Sequence, residues 1–135
     1  HAHPDAKDYV KLSASSKIPF YSGDDAPVDW WFDWIVSKDV LEHLTPEELN
    51  IFFTDAKRVT NKVFFVVPLG DGEKYIIPNY ENDITHIIRW PLTKWVEVAR
   101  LNGWIVESIT TNMKGLKDSW NHYQDGNAAI TLTLT

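Results

Sequence analysis

The stretch whose reading decides the fold is Phe32-Asp33-Trp34-Ile35-Val36-Ser37-Lys38-Asp39-Val40-Leu41-Glu42-His43-Leu44. Trp34-Ile35-Val36 reads as a buried strand, Ser37-Lys38-Asp39 as a polar elbow, and the residues that follow as a helix-like segment. Open α/β sheets bind their ligands at such exits, beyond the carboxyl ends of their strands. Ser37, Lys38 and Asp39 are therefore candidate binding residues. The plainer reading is a solvated elbow with Asp39 favoured by a nearby helix N-terminus.

Downstream of this stretch, the sequence punctuates itself. Thr45 is placed as an N-cap, Pro46 as the first helical residue and Glu48 as the third, a capping box. Leu49, Phe52, Phe53, Ala56 and Val59 then share one helical face, and Asn61 suits the stop. Lys62 to Pro68 is continuously apolar and β-prone, as a strand covered on both faces would be. Residues 69–88 form a long connection rich in Gly, Asp and Asn, a length that is usually functional or mobile. Pro91 to Asn102 predicts a helix with Leu92, Trp95, Val96 and Ala99 inward and Gly103 as its stop. Trp104–Ile109 and Ala129–Leu134 predict strands, the last alternating as if one face met water.

Upstream, Tyr9–Leu12 suits a short strand, and residues 21–29 have the composition of a loop. The alternation of β and α predicts one domain over residues 1–135: an incomplete doubly wound Rossmann-like sheet. It is expected to be mostly parallel, with helices on both faces and an antiparallel C-terminal edge strand.

Composition narrows the function. The net charge of −6, with no Lys/Arg cluster, weighs against a nucleic-acid surface, which needs cations to displace counterions from phosphate. The absence of cysteine excludes disulfides and thiolate metal sites. No apolar run is long enough for a membrane span. The opening His1-Ala2-His3-Pro4-Asp5 has no apolar leader, so no signal peptide is expected. His1, His3, His43, His86 and His122 do not fall at metal-ligand spacings, so no metal site is expected. Seven Trp predict an aromatic core. Any part of Trp30, Trp31, Phe32 and Trp34 left uncovered would make an apolar patch suited to a partner.

The stretch from Phe32 to Leu44 resembles the fourth strand of class I S-adenosylmethionine-dependent methyltransferases, which often read F-D-x-V-x-x-x-x-V-L-E-H-L. Leu12–Phe20 is similar to that family's third-strand exit, G-D-A-x-x-L-P-F, and Val66-Val67-Pro68 to the end of its fifth strand. Asn82–Trp90 and Asn102-Gly103-Trp104 resemble the D-P-T-H-x-R-x-W/F … G-F passage of members acting on small molecules or sugars. The family's glycine-rich turn after its first strand is missing here. By this alignment the chain begins within the helix after the second strand.

The resemblance implies cytoplasmic methyl transfer to an oxygen or nitrogen of a small-molecule or sugar acceptor. Ser13, Ala14 and Ser15 would border the adenine, with Ala14 or a flanking Ser where the family has an acid. Ser37, Lys38 and Asp39 would face the methionine end of S-adenosylmethionine or the substrate, with Lys38 and Asp39 lining the acceptor side. His86 would be a catalytic base or acceptor-orienting group, and Arg89 would hold an anionic group of the substrate. Without the glycine-rich cradle, the chain alone is expected to bind S-adenosylmethionine weakly or not at all. The alternative is a non-catalytic module that keeps the fold and self-associates as a homodimer through exposed apolar surface. A glycine-rich turn encoded ahead of His1 would favour the enzyme.

Overall fold

The computed structural model describes residues 32–117 and 122–135. Four strands form one sheet: β1 (Ile35–Lys38), β2 (Lys62–Pro68), β3 (Ile105–Thr110) and β4 (Asn127–Thr133). Their order across the sheet is β1-β2-β4-β3. β1 runs parallel to β2, and β4 runs antiparallel to both β2 and β3. Three strands therefore point one way and only β4 is reversed, the mixed sheet expected of an incomplete Rossmann-like fold. The antiparallel C-terminal strand does not lie at the edge, however. It is inserted between β2 and β3, and β3 takes the edge.

Thr45 starts the first helix, α1 (Pro46–Ala56), through the anticipated capping box. Its Oγ1 accepts from the Glu48 amide at 3.2 Å, and its own amide donates to Glu48 Oε1 at 2.8 Å. The helix ends a turn earlier than its apolar spacing suggests. Val59 is buried in the turn that follows, where its carbonyl accepts from the Phe32 amide at 2.8 Å and ties the entry of β1 to the exit of α1.

The second helix, α2 (Leu92–Leu101), ends at Gly103, whose φ of +91° is the left-handed conformation that closes helices at little cost for glycine. Val98, not Val96, joins Trp95 and Ala99 in the core; Val96 is only half-buried. Val98 lies three residues after Trp95 and so shares its stripe.

The alternation of side chains along β2 divides the core in two. Val63, Phe65 and Val67 meet α1 and α2, with Phe65 5.8 Å ring to ring from both Phe53 and Trp95. Phe64 and Val66 face the opposite side, against Ala129 and Met113. Among the described residues both helices thus cover one face, and the segment around Met113 covers part of the other. β4 is buried on both faces, contrary to the solvated face its alternation suggested, because Ala129 lies under Met113. The Trp104 indole donates to the Phe53 carbonyl at 2.8 Å and locks the start of β3 to α1.

β1 is more exposed than its sequence implies. Trp34 is 47% exposed and Val36 68%, because among the described residues β1 pairs only with β2. Among the described residues no helix is long and apolar enough to cross a membrane.

Candidate functional site

The carboxyl ends of β1 and β2 carry the site. β1 ends at Lys38, and Asp39 turns the chain with a φ of +58°, a conformation uncommon outside glycine and tolerated best by Asp and Asn. Its amide still donates to the Val66 carbonyl at 3.0 Å, so the bend begins while the chain is held to β2. The bend throws the chain into a single 3-10 turn, Leu41–His43, which buries Leu41 and Glu42.

Asp39 is the centre of a polar network. Its carboxylate accepts from Lys38 at 2.9 Å and from Lys117 at 2.5 Å. Lys117 also lies 5.2 Å from the Tyr80 ring and donates to the Tyr80 hydroxyl at 3.3 Å. That hydroxyl in turn accepts from Asn127 Nδ2 at 3.0 Å, at the start of β4. Burial pushes the Asp39 carboxyl upward, but the hydrogen bonds and charges of Lys117 and Lys38 outweigh it and leave its pKa below the usual range. Burial likewise pulls Lys117 down, and Asp39 more than restores it. Ser37, by contrast, is buried within the sheet, and its hydroxyl has no hydrogen-bond partner.

The long connection after β2 folds back over this end of the sheet. Gly70 lets it turn: a Cβ there would stand 2.6 Å from the carbonyl oxygens of Arg89 and Lys74. Gly70 and Gly72 amides donate to the carbonyls of Trp90 and Arg89, and the Tyr75 hydroxyl donates to the Ile88 carbonyl at 2.6 Å. Burial raises the Tyr75 phenol to about 12, so it stays a donor. The far end of the connection is strapped to the 3-10 turn, for the Ile87 and Ile88 amides both donate to the Glu42 carbonyl, at 2.9 and 3.0 Å.

That strap brings His86 beside Glu42 and His43. One donor atom from each of the three lies within 4.8 Å of the others. His43 Nε2 stands 3.8 Å and His86 Nε2 3.9 Å from Glu42 Oε2. Glu42 is only 1% exposed, and its Oε1 has no hydrogen-bond partner among the described residues. Burial pushes its carboxyl above the usual range, and the charge of Asp39 adds to the effect. Asp83 stands at the rim with Oδ2 3.5 Å from His86 Nε2.

Of the residues singled out from the sequence, Lys38, Asp39 and His86 converge on this end of the sheet. Arg89 is close by but engaged: its Nε and a terminal nitrogen meet the Glu81 carboxylate at 3.0–3.1 Å, and its guanidinium lies 5.0 Å from the Tyr75 ring. Ser13, Ala14 and Ser15 lie outside the described residues. Glu42, Lys117 and Tyr80 were missed as site residues. Glu42 had one sequence signal, a carboxylate set among Leu41, His43 and Leu44; Lys117 and Tyr80 had none.

No family model matches the chain, and no curated protein matches it. Solved structures do. An S-adenosylmethionine-dependent methyltransferase from Archaeoglobus fulgidus superposes with a TM-score of 0.59 at 14% identity, over 78% of this chain and 61% of that one. A putative methyltransferase from Bacillus halodurans gives 0.56 at 12% identity, over 80% and 66%. A putative S-adenosylmethionine-dependent methyltransferase from Listeria monocytogenes gives 0.52 at 10%, over 81% and 64%. The chain therefore has a class I S-adenosylmethionine-dependent methyltransferase-like fold, and it spans less than two thirds of each of these structures. At such identities the likeness is one of fold.

Proposed function

We propose that this chain is the C-terminal part of a cytoplasmic methyl-transfer domain that acts on an oxygen or nitrogen of a small-molecule or sugar acceptor. The observation that carries the reading is the bend at Asp39. A parallel strand ends there in a left-handed residue whose carboxylate is fixed by Lys38 and Lys117, at the edge where sheets of this kind hold ligands.

The residues fit S-adenosylmethionine only in part. The β1 elbow offers a shaped, polar wall, but among the described residues no counterpart of the family's glycine-rich turn stands beside it for the cofactor's methionine and ribose ends. When bound, the cofactor supplies an electrophilic methyl group. Lys38 and Asp39 border the acceptor side. His86 is held by its Nδ1 on the Tyr80 carbonyl at 2.8 Å and orients the acceptor with its other nitrogen. Holding an acceptor lone pair in line contributes much of the rate in such transfers, and a strong base is not required. Arg89 braces this wall through Glu81 and Tyr75, and its remaining donors are the ones available to an anionic substrate group.

The test is calorimetric titration of S-adenosylhomocysteine into the chain, and into the chain extended by the residues that precede it in its reading frame. Binding to the extended protein supports the reading. No binding to either form overturns it. A second reading, a self-associating module, draws on the exposure of Trp34 and Val36 along β1. A concentration-independent monomer in sedimentation would dismiss it.

A further inference from the structure

The hydrogen bonds around His43 and His86 fix where their protons sit. Thr85 Oγ1 donates its one proton to Asp83 Oδ1 at 2.5 Å, so it acts as acceptor toward His43 Nδ1 at 2.9 Å. The Thr85 carbonyl accepts from the same nitrogen at 3.1 Å. His43 Nδ1 must therefore carry hydrogen. The same holds for His86 Nδ1, which faces the Tyr80 carbonyl at 2.8 Å. In the neutral rings both Nε2 atoms are bare lone pairs, and both are turned toward Glu42 Oε2 at 3.8–3.9 Å, too far for hydrogen bonds.

Three electron-pair donors thus converge with no proton between them. One belongs to a carboxylate that is 98% buried by its side chain, with its second oxygen unpartnered. A buried carboxylate in that state is costly unless a cation completes it. Imidazoles anchored through the far nitrogen to a carbonyl are also the usual arrangement of metal-bound histidine.

We propose that Glu42, His43 and His86 form a binding site for a divalent first-row transition-metal ion. Ligands at about 2.0–2.2 Å from a tetrahedral zinc ion stand roughly 3.3–3.5 Å apart. The distances from Glu42 Oε2 to the two nitrogens exceed that by a few tenths of an ångström, which side-chain rotation closes. Two nitrogens and one oxygen suit Zn²⁺, Co²⁺, Fe²⁺ or Mn²⁺ better than Mg²⁺ or Ca²⁺, which prefer all-oxygen shells. Three protein donors leave a coordination position open, as in catalytic sites. Asp83 at the rim adds negative charge toward the same point. The metal site stands by itself; its role rests on the methyl-transfer reading, with His86 then acting on the acceptor through the ion, whose open position takes an acceptor oxygen and orients it beside Asp39.

The test uses the chain with His1 and His3 replaced by Ala, so that the terminal histidines do not compete. Co²⁺ is titrated while visible absorption is followed, and Zn²⁺ is titrated by calorimetry. The expected result is one ion per chain, with affinity at least tenfold lower in Glu42→Gln and in His86→Gln, and no competition from equimolar Mg²⁺. Circular dichroism of each variant verifies that it is folded, and His43→Gln provides a third substitution should either fail. No binding by the parent, or binding equally tight in the folded variants, overturns the site. The latter result would mean that the ion sits elsewhere; the former, that His86 is simply paired with Asp83 and Glu42. Metal binding by the chain, with no S-adenosylhomocysteine binding by either the chain or its extended form, would leave the site standing and remove the methyl-transfer reading.

Discussion

The His86 ring lies 4.6 Å from that of His43, although α1, β2 and most of the long connection separate the two in sequence. Neither ring touches the other's element by chance of packing alone. Glu42 links the two: its backbone carbonyl holds the strap that carries His86, and its Oε2 stands 3.8 and 3.9 Å from the two Nε2 atoms.

Glu42→Gln should stabilise the metal-free protein at neutral pH. Burial raises the Glu42 pKa above its unfolded value, so the folded state disfavours the charged form. The resulting penalty is absent below the unfolded pKa, grows as pH rises toward the folded pKa, and is full above it. Thermal melts of parent and variant should therefore differ most at neutral pH and converge in acid. Asp39, His43 and His86 face this carboxylate and their charges act on it, so both proteins must be compared at each pH. A variant that melts lower than the parent at neutral pH would show that Glu42 already has a partner.

Asp39→Asn should act in the opposite sense. It leaves Lys117, only 13% exposed by its side chain, without its carboxylate. The cost should be about 1–2 kcal/mol, since Asp39 is itself a third exposed and water screens the pair. The Asp39 pKa is lowered on folding. Its contribution is therefore present above the unfolded carboxylate pKa and is lost as pH falls through the folded value. Urea titrations near neutrality and in strong acid should show the difference between parent and variant shrinking in acid.

Gly70→Ala should loosen the connection without touching the metal ligands. A methyl group 2.6 Å from two backbone oxygens has no flexible neighbour to yield. Overpacking of this kind costs about 1–3 kcal/mol. Hydrogen exchange should report faster opening at Ile87 and Ile88, and Co²⁺ affinity should fall although Glu42, His43 and His86 are intact. Unchanged exchange at both amides would mean that the strap is set by Glu42 alone.

Thr45→Ala provides a control. It removes one half of the capping box and should cost about 1 kcal/mol. Because it lies at the start of α1, metal and cofactor binding should be unaffected once the variant is folded, as calorimetry can verify.

Much of the fold was written in local patterns. The capping box at Thr45, Pro46 and Glu48 and the apolar run from Lys62 to Pro68 are short-range signals, and the start of the helix and the whole strand formed where they were expected. The position of β4 was not local. Its place between β2 and β3 depends on pairing such as Val63 with Leu132, which no pattern within Asn127–Thr133 encodes. The site divides in the same way. Lys38 and Asp39 were visible because a strand exit is a local feature. Lys117 reaches Asp39 from 78 residues away, and His86 reaches Glu42 through two backbone hydrogen bonds that leave no mark on residue type. Histidine spacing along the chain therefore does not show the approach of His86 to His43, because the connection, rather than a helix or a hairpin, brings the two rings together.

The insertion of β4 between β2 and β3 also sets the order in which the protein can mature. As the chain leaves the ribosome, β1 can dock on β2 and α1 can cover them. Among the described residues β3 then has no strand to join until residues 127–133 emerge, because β4 lies between it and β2. Until that moment one edge of β2, with Val63 and Phe65 beside it, is a template open to other chains. Closing the sheet is thus a single late zippering event, long in range and correspondingly slow. A nascent chain stalled before Asn127 would be the form most prone to aggregate.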